Sequence, residues 1–452
     1  MNPARLPVFD RRRAGVLLHL SSLEGGLGRT GRAFIDWIAD AGFTVWQFLP
    51  LGPTGTDGSP YWVRSDSAGN AALIDGNERP GLDTPEYHAF LEASKSWLDD
   101  YVSFEAISKA QNGAPWWTWP DEYRNREPTA MSRIHGELAG DIERMKQEQF
   151  AFAWQWQRLR EHARTRGVRL FGDLPFYVAP DSAETWAHRP QFQLDEMGRA
   201  TFVAGVPPDY FSELGQLWGN PLYDWRAMRR DGFAFWRARV NRQLVRVDLL
   251  RIDHFRALAA HWSVPAGSAD ARGGAWHRTP GRMFLKALRD EFGELPIVAE
   301  DLGIITPDVE SLRTDFGLPG MRVLQFGFGG NPEDVHLPHM HDRDSIVYTG
   351  THDNDTTMGW FLSLDSETQR RVEFFLRLTP GAMPDALIRA ALASVGKLAV
   401  IPMQDVLGLG SEARLNTPGT VAGNWTWRLP ADALSPDLAR HFALLNRVHA
   451  RA

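Results

Sequence analysis

Leu249-Leu250-Arg251-Ile252-Asp253-His254-Phe255-Arg256 ends a short apolar run on a cluster of charges. Residues 245–253 read as a strand. Seven more short apolar runs bounded by turns share that form: residues 15–20, 43–50, 168–175, 296–300, 321–326, 345–350 and 398–403. Several are near-continuous runs of β-branched residues and leucine, as expected of parallel strands buried on both faces. Helical stretches lie between them, among them 33–40, 142–166, 280–292 and 307–316. Strand–helix alternation that closes at eight predicts an α/β fold, a (β/α)8 TIM barrel.

Two connections are too long for bare barrel loops. Residues 51–145, after the second strand, read as a mostly helical inserted subdomain, with a helix over 97–109. Residues 176–225, after the third, form a second insertion. Both start at strand C-terminal ends, where barrel insertions shape active sites. The expected organisation is a single catalytic barrel over residues 1–452. The final helical stretch is 435–450.

Composition narrows the function. The chain has 452 residues, a hydrophobic fraction of 43% and 0 cysteines. Thiolate catalysis, disulfides and cysteine zinc sites are excluded, and a cytoplasmic location is the expectation. The net charge is −7, with no basic block to follow a phosphate backbone, so nucleic acid is not an expected partner. No apolar run approaches the roughly 20 residues of a membrane span. Arg11-Arg12-Arg13 before an apolar stretch imitates a secretion signal. The stretch is shorter than the roughly 7–15 residues such a region needs, and it contains His19. The 18 tryptophans serve mostly as core, with a few left for stacking on sugar rings.

Chemistry is concentrated where the strands end. Arg251 and Asp253 are two apart, so they share a strand face and point together into the barrel mouth. The guanidinium is expected to hold Asp253 ionised, which suits a nucleophile. Asp173 ends the third strand, Glu300 the fifth, and His352-Asp353 follows the seventh. Acids that converge on one rim repel one another, so one can keep its proton while another stays ionised. Retaining glycosidases divide labour in this way. Any one such acid could merely cap the following helix. Four strands ending alike, with Arg and His interleaved, argue for a site.

The segments 15–23, 49–55, 59–61, 172–182, 203–221, 251–256, 299–303, 349–357 and 404–416 keep the order and residues of one family. In them the chain resembles the amylomaltases, the 4-α-glucanotransferases of glycoside hydrolase family seventy-seven in the α-amylase superfamily. The resemblance implies Asp253 as nucleophile, Glu300 as general acid/base and Asp353 as a carboxylate that binds hydroxyls of the distorted donor sugar. It implies that Asp173, Arg251 and His352 hold that sugar and that Tyr61 stacks on it. Ser59, Asp209, Trp218, Asn220 and Asn424 are further candidate substrate contacts. Trp218 is the first choice for an acceptor platform, against a core-packing alternative. The tail after residue 403 is too short for the C-terminal β-sandwich domain of ordinary α-amylases, which the resembling family also lacks. The implied partners are α-1,4-glucans and malto-oligosaccharides, with glucose as an acceptor. No cofactor and no metal are implied.

Two departures concern long substrates. Close members carry an aromatic where this chain has Thr56, and the segment after Leu73-Ile74-Asp75 is much shorter than usual. Together these features form a remote groove that curves long glucans. Their loss implies short products and little large cyclic glucan.

Other motifs carry less. Gly26-Leu27-Gly28-Arg29-Thr30-Gly31 fits a dinucleotide fingerprint, but a lone match is weak. His336, His339 and His341 could suggest a metal. A carboxylate barrel mouth needs none for acetal chemistry, and His339 reads better as a substrate contact. Trp154 and Trp156 read as core. A hydrolase of the same superfamily is the alternative enzyme. A glucan-binding protein on a decayed barrel is the alternative from another class, and the presence of Asp253, Glu300 and Asp353 argues against it.

The resemblance places a lid over the acceptor side at residues 203–216, which would shield the intermediate from water. Asp209→Ala or Tyr210→Ala is therefore expected to shift the balance from transfer toward hydrolysis. The ratio of reducing ends to transferred glucose measures it, and an unchanged ratio contradicts shielding.

Overall fold

The computed structural model describes residues 8–208, 212–420 and 422–452. Asp209 and Tyr210 of the expected lid lie outside them. All eight expected strands form, in order: β1 Arg13–Leu17, β2 Val45–Gln47, β3 Arg169–Leu174, β4 Leu249–Ile252, β5 Ile297–Ala299, β6 Gly320–Val323, β7 Ser345–Tyr348 and β8 Leu398–Pro402. They pair in parallel in the order β6-β7-β8-β1-β2-β3-β4-β5. The Ala299 N–H donates to the Pro319 carbonyl at 2.9 Å across the remaining seam, so the sheet curls nearly closed.

Side-chain alternation sorts each strand into an inner and an outer face. Leu249, Phe171, Val45, Leu17, Val298, Met321, Ile346 and Leu398 pack inside the barrel. Leu250, Ile252, Leu170, Val16, Ile297 and Val347 face the helices. The inner positions nearest the C-terminal ends break this apolar rule. They carry Gln47, Asp173, Arg251 and Tyr348, all buried, with the Tyr348 hydroxyl donating to Gln47 Oε1 at 2.9 Å. The barrel is thus a greasy plug with a polar top layer. The strands are shorter than the sequence predicts because the ladder stops there. Asp253 and Glu300 stand just beyond it, free to aim at the mouth.

The helices follow their amphipathic patterns, with ends that shift by a few residues: Arg29–Asp40, Ala139–Thr165, Gly281–Phe292, Pro307–Asp315 and Pro436–Val448. One differs more. The helix expected over 97–109 runs Pro85–Ala110. Its start was signalled by Thr84, whose hydroxyl caps the Tyr87 N–H, and by Pro85 in the first turn, where proline loses no hydrogen bond. This helix packs against Ala139–Thr165 around Leu98, Phe104, Trp116, Trp119 and Trp186. Trp46 and Trp236 are also fully buried, so many tryptophans are core. Trp156 is buried and Trp154 lies half-buried under Arg158.

An antiparallel sheet not anticipated from the sequence joins the insertions after β3 and β4. Its strands run in the order Gln216–Pro221, Phe202–Val206, Ala260–Pro265, Ala275–Arg278. The expected lid segment 203–216 therefore begins inside a strand. The pairing of Phe202–Val206 with Ala260–Pro265 is non-local, and five residues such as Phe-Val-Ala-Gly-Val carry no period to reveal it.

The glycines at 26–31 serve close packing. A β-carbon on Gly31 would lie 2.0 Å from the Gly26 carbonyl, and one on Gly28 would lie 2.2 Å from Asp75 Oδ2.

Behind β3, Arg239 is wholly buried. Its guanidinium reaches Asp66 Oδ2 at 2.5 Å, the Tyr223 hydroxyl at 2.9 Å, and the Phe176 and Pro175 carbonyls at 3.1 and 2.8 Å. It ties the helix Ala234–Arg246 to the turn after Asp173. Arg239→Ala strands Asp66 in the interior and is expected to cost about 3–5 kcal/mol. Urea unfolding measures it, and a loss below about 1 kcal/mol would show the pair to be dispensable.

Candidate active site

Arg251 occupies the centre of the mouth. From β4 its Nη1 donates to Asp173 Oδ2 on β3 at 2.6 Å, and its Nη2 donates to Asp253 Oδ1 at 2.7 Å. The two-residue spacing thus gives the shared face expected from the sequence. These charge-assisted bonds fix both acids. Asp253 keeps Oδ2 without a protein partner among the described residues and is partly exposed. Asp173 is buried. Its Oδ2 also accepts from the Tyr61 hydroxyl at 2.7 Å, while Oδ1 is buried without a partner. Burial pushes the Asp173 carboxyl upward against the pull of Arg251.

Glu300 follows β5. Its Oε2 accepts from the His254 N–H at 2.7 Å and its Oε1 from the Leu302 N–H at 2.9 Å. Burial, and then the charge of Asp253, push it up to about 8 despite Arg251 and the Leu302 N–H pulling down. It is therefore protonated at neutral pH. The rim thus holds the division that an acid and a nucleophile need.

His254 was missed in the sequence as more than a neighbour of Asp253. It adopts a left-handed conformation at φ +48°, costly for a residue with a side chain, and this aims its N–H at Glu300. Burial pushes the imidazole down to about 4, so it is neutral. Trp218 meets it edge-on at 4.7 Å and lies 6.4 Å from Tyr177. Trp218 is partly buried and packs on the residue whose N–H binds Glu300.

The third carboxylate comes from the loop after β7. Asp353 is half-exposed, with His352 Nε2 at 3.4 Å. The His352 ring stacks on Tyr61 at 5.2 Å and 15°, and Trp425 closes the cluster at 6.1 Å from His352. Trp425 is another residue not singled out in the sequence, at φ +63°. The buried Asp405 anchors the loop by accepting from Thr349 Oγ1, Thr357 Oγ1 and the Thr357 N–H, each at 2.6 Å. Tyr61, Asp173, Arg251, Asp253, His352 and Asp353 thus form one connected set, with Glu300 joined through His254.

The remaining candidates make other contacts. Ser59 Oγ accepts from the Tyr61 N–H at 3.3 Å and shapes the turn that presents Tyr61. Asn220 is buried and donates to the Val178 carbonyl at 2.9 Å. Asn424 accepts from the Thr417 N–H at 2.9 Å and donates to the Thr420 carbonyl at 3.0 Å, within its own loop. His339 Nε2 lies 2.8 Å from the Pro332 carbonyl. Its neighbours are spent similarly: His336 Nδ1 accepts from the Val323 N–H at 3.1 Å, and His341 pairs with Ser394 Oγ at 2.7 Å. Asn424 satisfies backbone close by in its own loop, whereas Asn220 reaches across to another segment, which spacing alone does not reveal.

Comparison with known proteins gives concordant results. A family model described as 4-alpha-glucanotransferase matches residues 18–82 and 78–434. Its two stretches overlap at residues 78–82. The 4-alpha-glucanotransferase of Thermus thermophilus is 43% identical, over 94% of this chain and 96% of that protein. The chloroplastic/amyloplastic 4-alpha-glucanotransferase of Oryza sativa subsp. japonica is also 43% identical, over 96% of this chain and 83% of that one. Amylomaltase from Streptococcus agalactiae, solved in complex with acarbose, superposes with a TM-score of 0.94 at 31% identity, over 98% of this chain and 100% of that chain.

A carboxyl held protonated to about pH 8 opposes folding once the unfolded chain would ionise it. Between the unfolded value of 4.5 and about 8 the folded state binds the extra proton, so stability falls as pH rises. Glu300→Gln removes that term. It is expected to raise the melting temperature, with a gain that grows from pH 5 to pH 8. A gain that is absent, or that shrinks over this range, contradicts the assignment.

Proposed function

The chain belongs to the glycoside hydrolase family 77 of 4-alpha-glucanotransferases, and from that premise we propose how its carboxylates carry the reaction. The enzyme transfers α-1,4-glucanyl units between malto-oligosaccharides. Asp253 Oδ2 attacks the anomeric carbon of the donor sugar while the Glu300 proton passes to the departing glycosidic oxygen. The products are a glycosyl ester on Asp253 and a shortened glucan carrying that proton. Glu300, now a carboxylate, takes the proton of an acceptor hydroxyl, whose oxygen displaces Asp253 and restores the α-linkage.

The observation that carries this reading is the split on the rim. Glu300 keeps its proton to about pH 8, while Asp253 is bonded to a guanidinium. Asp173 Oδ1, buried without a partner, suits a sugar hydroxyl. Tyr61 and His352 frame the donor sugar and Asp353 binds its hydroxyls. Trp218 offers an acceptor platform beside Glu300, and residues 203–216 shield the ester from water. Ser59, Asn220, Asn424 and His339 support these loops or touch more distant sugars.

Substrates of this chemistry are starch, glycogen or maltodextrin fragments, with glucose as an acceptor. Among the described residues no helix is long and apolar enough to cross a membrane, and a cysteine-free chain suits the reducing cytoplasm. Thr56 and the short segment after Asp75 leave little to curve a long glucan, so short oligosaccharides dominate the products.

Incubation with maltotriose tests the reading. Glucose and longer oligomers should appear without a net rise in reducing ends, and Asp253→Ala should abolish both. A steady rise in reducing ends would indicate the hydrolase alternative. A product mixture dominated by large cyclic glucans would contradict the trimmed groove.

A further inference from the structure

Asp353 receives little help from its own loop. Its N–H donates to Thr351 Oγ1 at 3.3 Å, and His352 Nε2 stands 3.4 Å from Oδ1. With its side chain half-exposed, those contacts leave the carboxylate free to turn about its last bond. Chain from beyond the last barrel strand supplies the restraint. Asn416 Nδ2 donates to Asp353 Oδ1 at 2.7 Å. Arg414 Nη2 donates to the Asp353 carbonyl at 2.7 Å, and its Nε donates to the Asn416 carbonyl at 2.8 Å. One guanidinium therefore fixes the backbone of the carboxylate and that of the amide which holds it.

This segment is itself braced. Ser411 Oγ donates to Asp355 Oδ2 at 2.7 Å, a second tie to the loop after β7. Leu415 is buried, and its carbonyl accepts from the Trp425 N–H at 2.7 Å. Asn424 ties the Thr417 N–H to the Thr420 carbonyl. Asp353 Oδ1 is thus engaged by Asn416, while Oδ2 has no protein partner among the described residues.

We propose that Asn416 is a positioning residue for the reaction: its amide, locked by Arg414, sets the rotation of Asp353 so that Oδ2 faces the hydroxyls of the distorted sugar. The inference rests on the role given above to Asp353. It adds a task to the segment after β8, which also supplies Asp405 and Trp425 to the mouth. A carboxylate that must grip a sugar harder in its distorted form gains from being set beforehand. The loss of Asn416 should therefore appear in turnover more than in ground-state binding.

The test is a double-mutant cycle on the full-length enzyme. Variants Asn416→Asp, Asp353→Asn and the double variant are assayed for maltotriose disproportionation and for acarbose binding by calorimetry. Asn416→Asp is nearly isosteric; it removes the donor and sets a second carboxylate against Asp353. It should lower kcat about 10- to 100-fold, the scale of one hydrogen bond to a charged group, with KM nearly unchanged and acarbose binding weakened by a similar factor. On the Asp353→Asn background it should cost no more, because the amide acts only through that carboxylate. Equal losses on both backgrounds overturn the proposal, as does full activity of Asn416→Asp while Asp353→Asn is crippled. Full activity of Asp353→Asn instead overturns the role of the carboxylate. Should Asn416→Asp fail to fold by circular dichroism, Asn416→Ser enters the same cycle under the same criteria.

Discussion

One guanidinium, buried among acids, sets the conditions for everything else in the barrel mouth. Arg251 bonds Asp173 and Asp253 at once, and removal of its charge would leave two carboxylates facing each other in a partly dry site. A buried cation is costly unless its donors are satisfied, and here strand geometry satisfies them. Asp173 lies across the β3–β4 ladder from Arg251, and Asp253 lies two residues along. The arrangement follows from register and pleat, so it is as rigid as the barrel. Glu300 stands outside this ring of bonds. Burial and the charge of Asp253 then dominate it and keep its proton on. Glu300 thus keeps its proton because burial and the charge of Asp253 outweigh the N–H groups that pull the other way, while Asp253 faces the guanidinium.

The rest of the mouth holds loops against that rigid centre. The left-handed backbone at His254 brings an N–H to Glu300. That at Trp425 brings an indole beside Tyr61 and His352. Each conformation costs on the order of 1–3 kcal/mol. The surrounding structure has to impose them. Glu300 holds the His254 N–H and the Leu415 carbonyl holds the Trp425 N–H, while Arg239 and Asp405 brace the turn after β3 and the loop after β7.

Much of this was legible in the sequence, for physical reasons. Parallel strands buried on both faces write themselves as apolar runs, and all eight were found. A carboxylate at or just past the end of such a run has little choice but to stand on the rim, so Asp173, Asp253 and Glu300 could be named, and Asp353 follows in the loop after β7. Pairing at spacing two foretold the Arg251–Asp253 contact. What stayed hidden depends on distant chain. The side sheet joins Phe202–Val206 to Ala260–Pro265, and no local period announces it. The amides of Asn220 and Asn424 also bind backbone, at the Val178 carbonyl and within the loop 417–424, contacts that their residue types do not announce. His254, Asn416 and Trp425 matter through backbone conformation or through one long-range hydrogen bond. A short motif can hint at such features but cannot locate them.

The central claim is that Asp253 becomes esterified while Glu300 works the proton on both sides of that ester. An activated donor, α-maltosyl fluoride, needs no acid to expel its leaving group. With Glu300→Gln it should therefore load the enzyme and then stall, because no carboxylate remains to take the acceptor's proton. Mass spectrometry of the quenched, digested protein should find one maltosyl unit on the peptide that contains Asp253, linked through that side chain, with fluoride released in equal amount. An adduct on Asp353 or Asp173, or fluoride release with no adduct on any residue, would contradict the account.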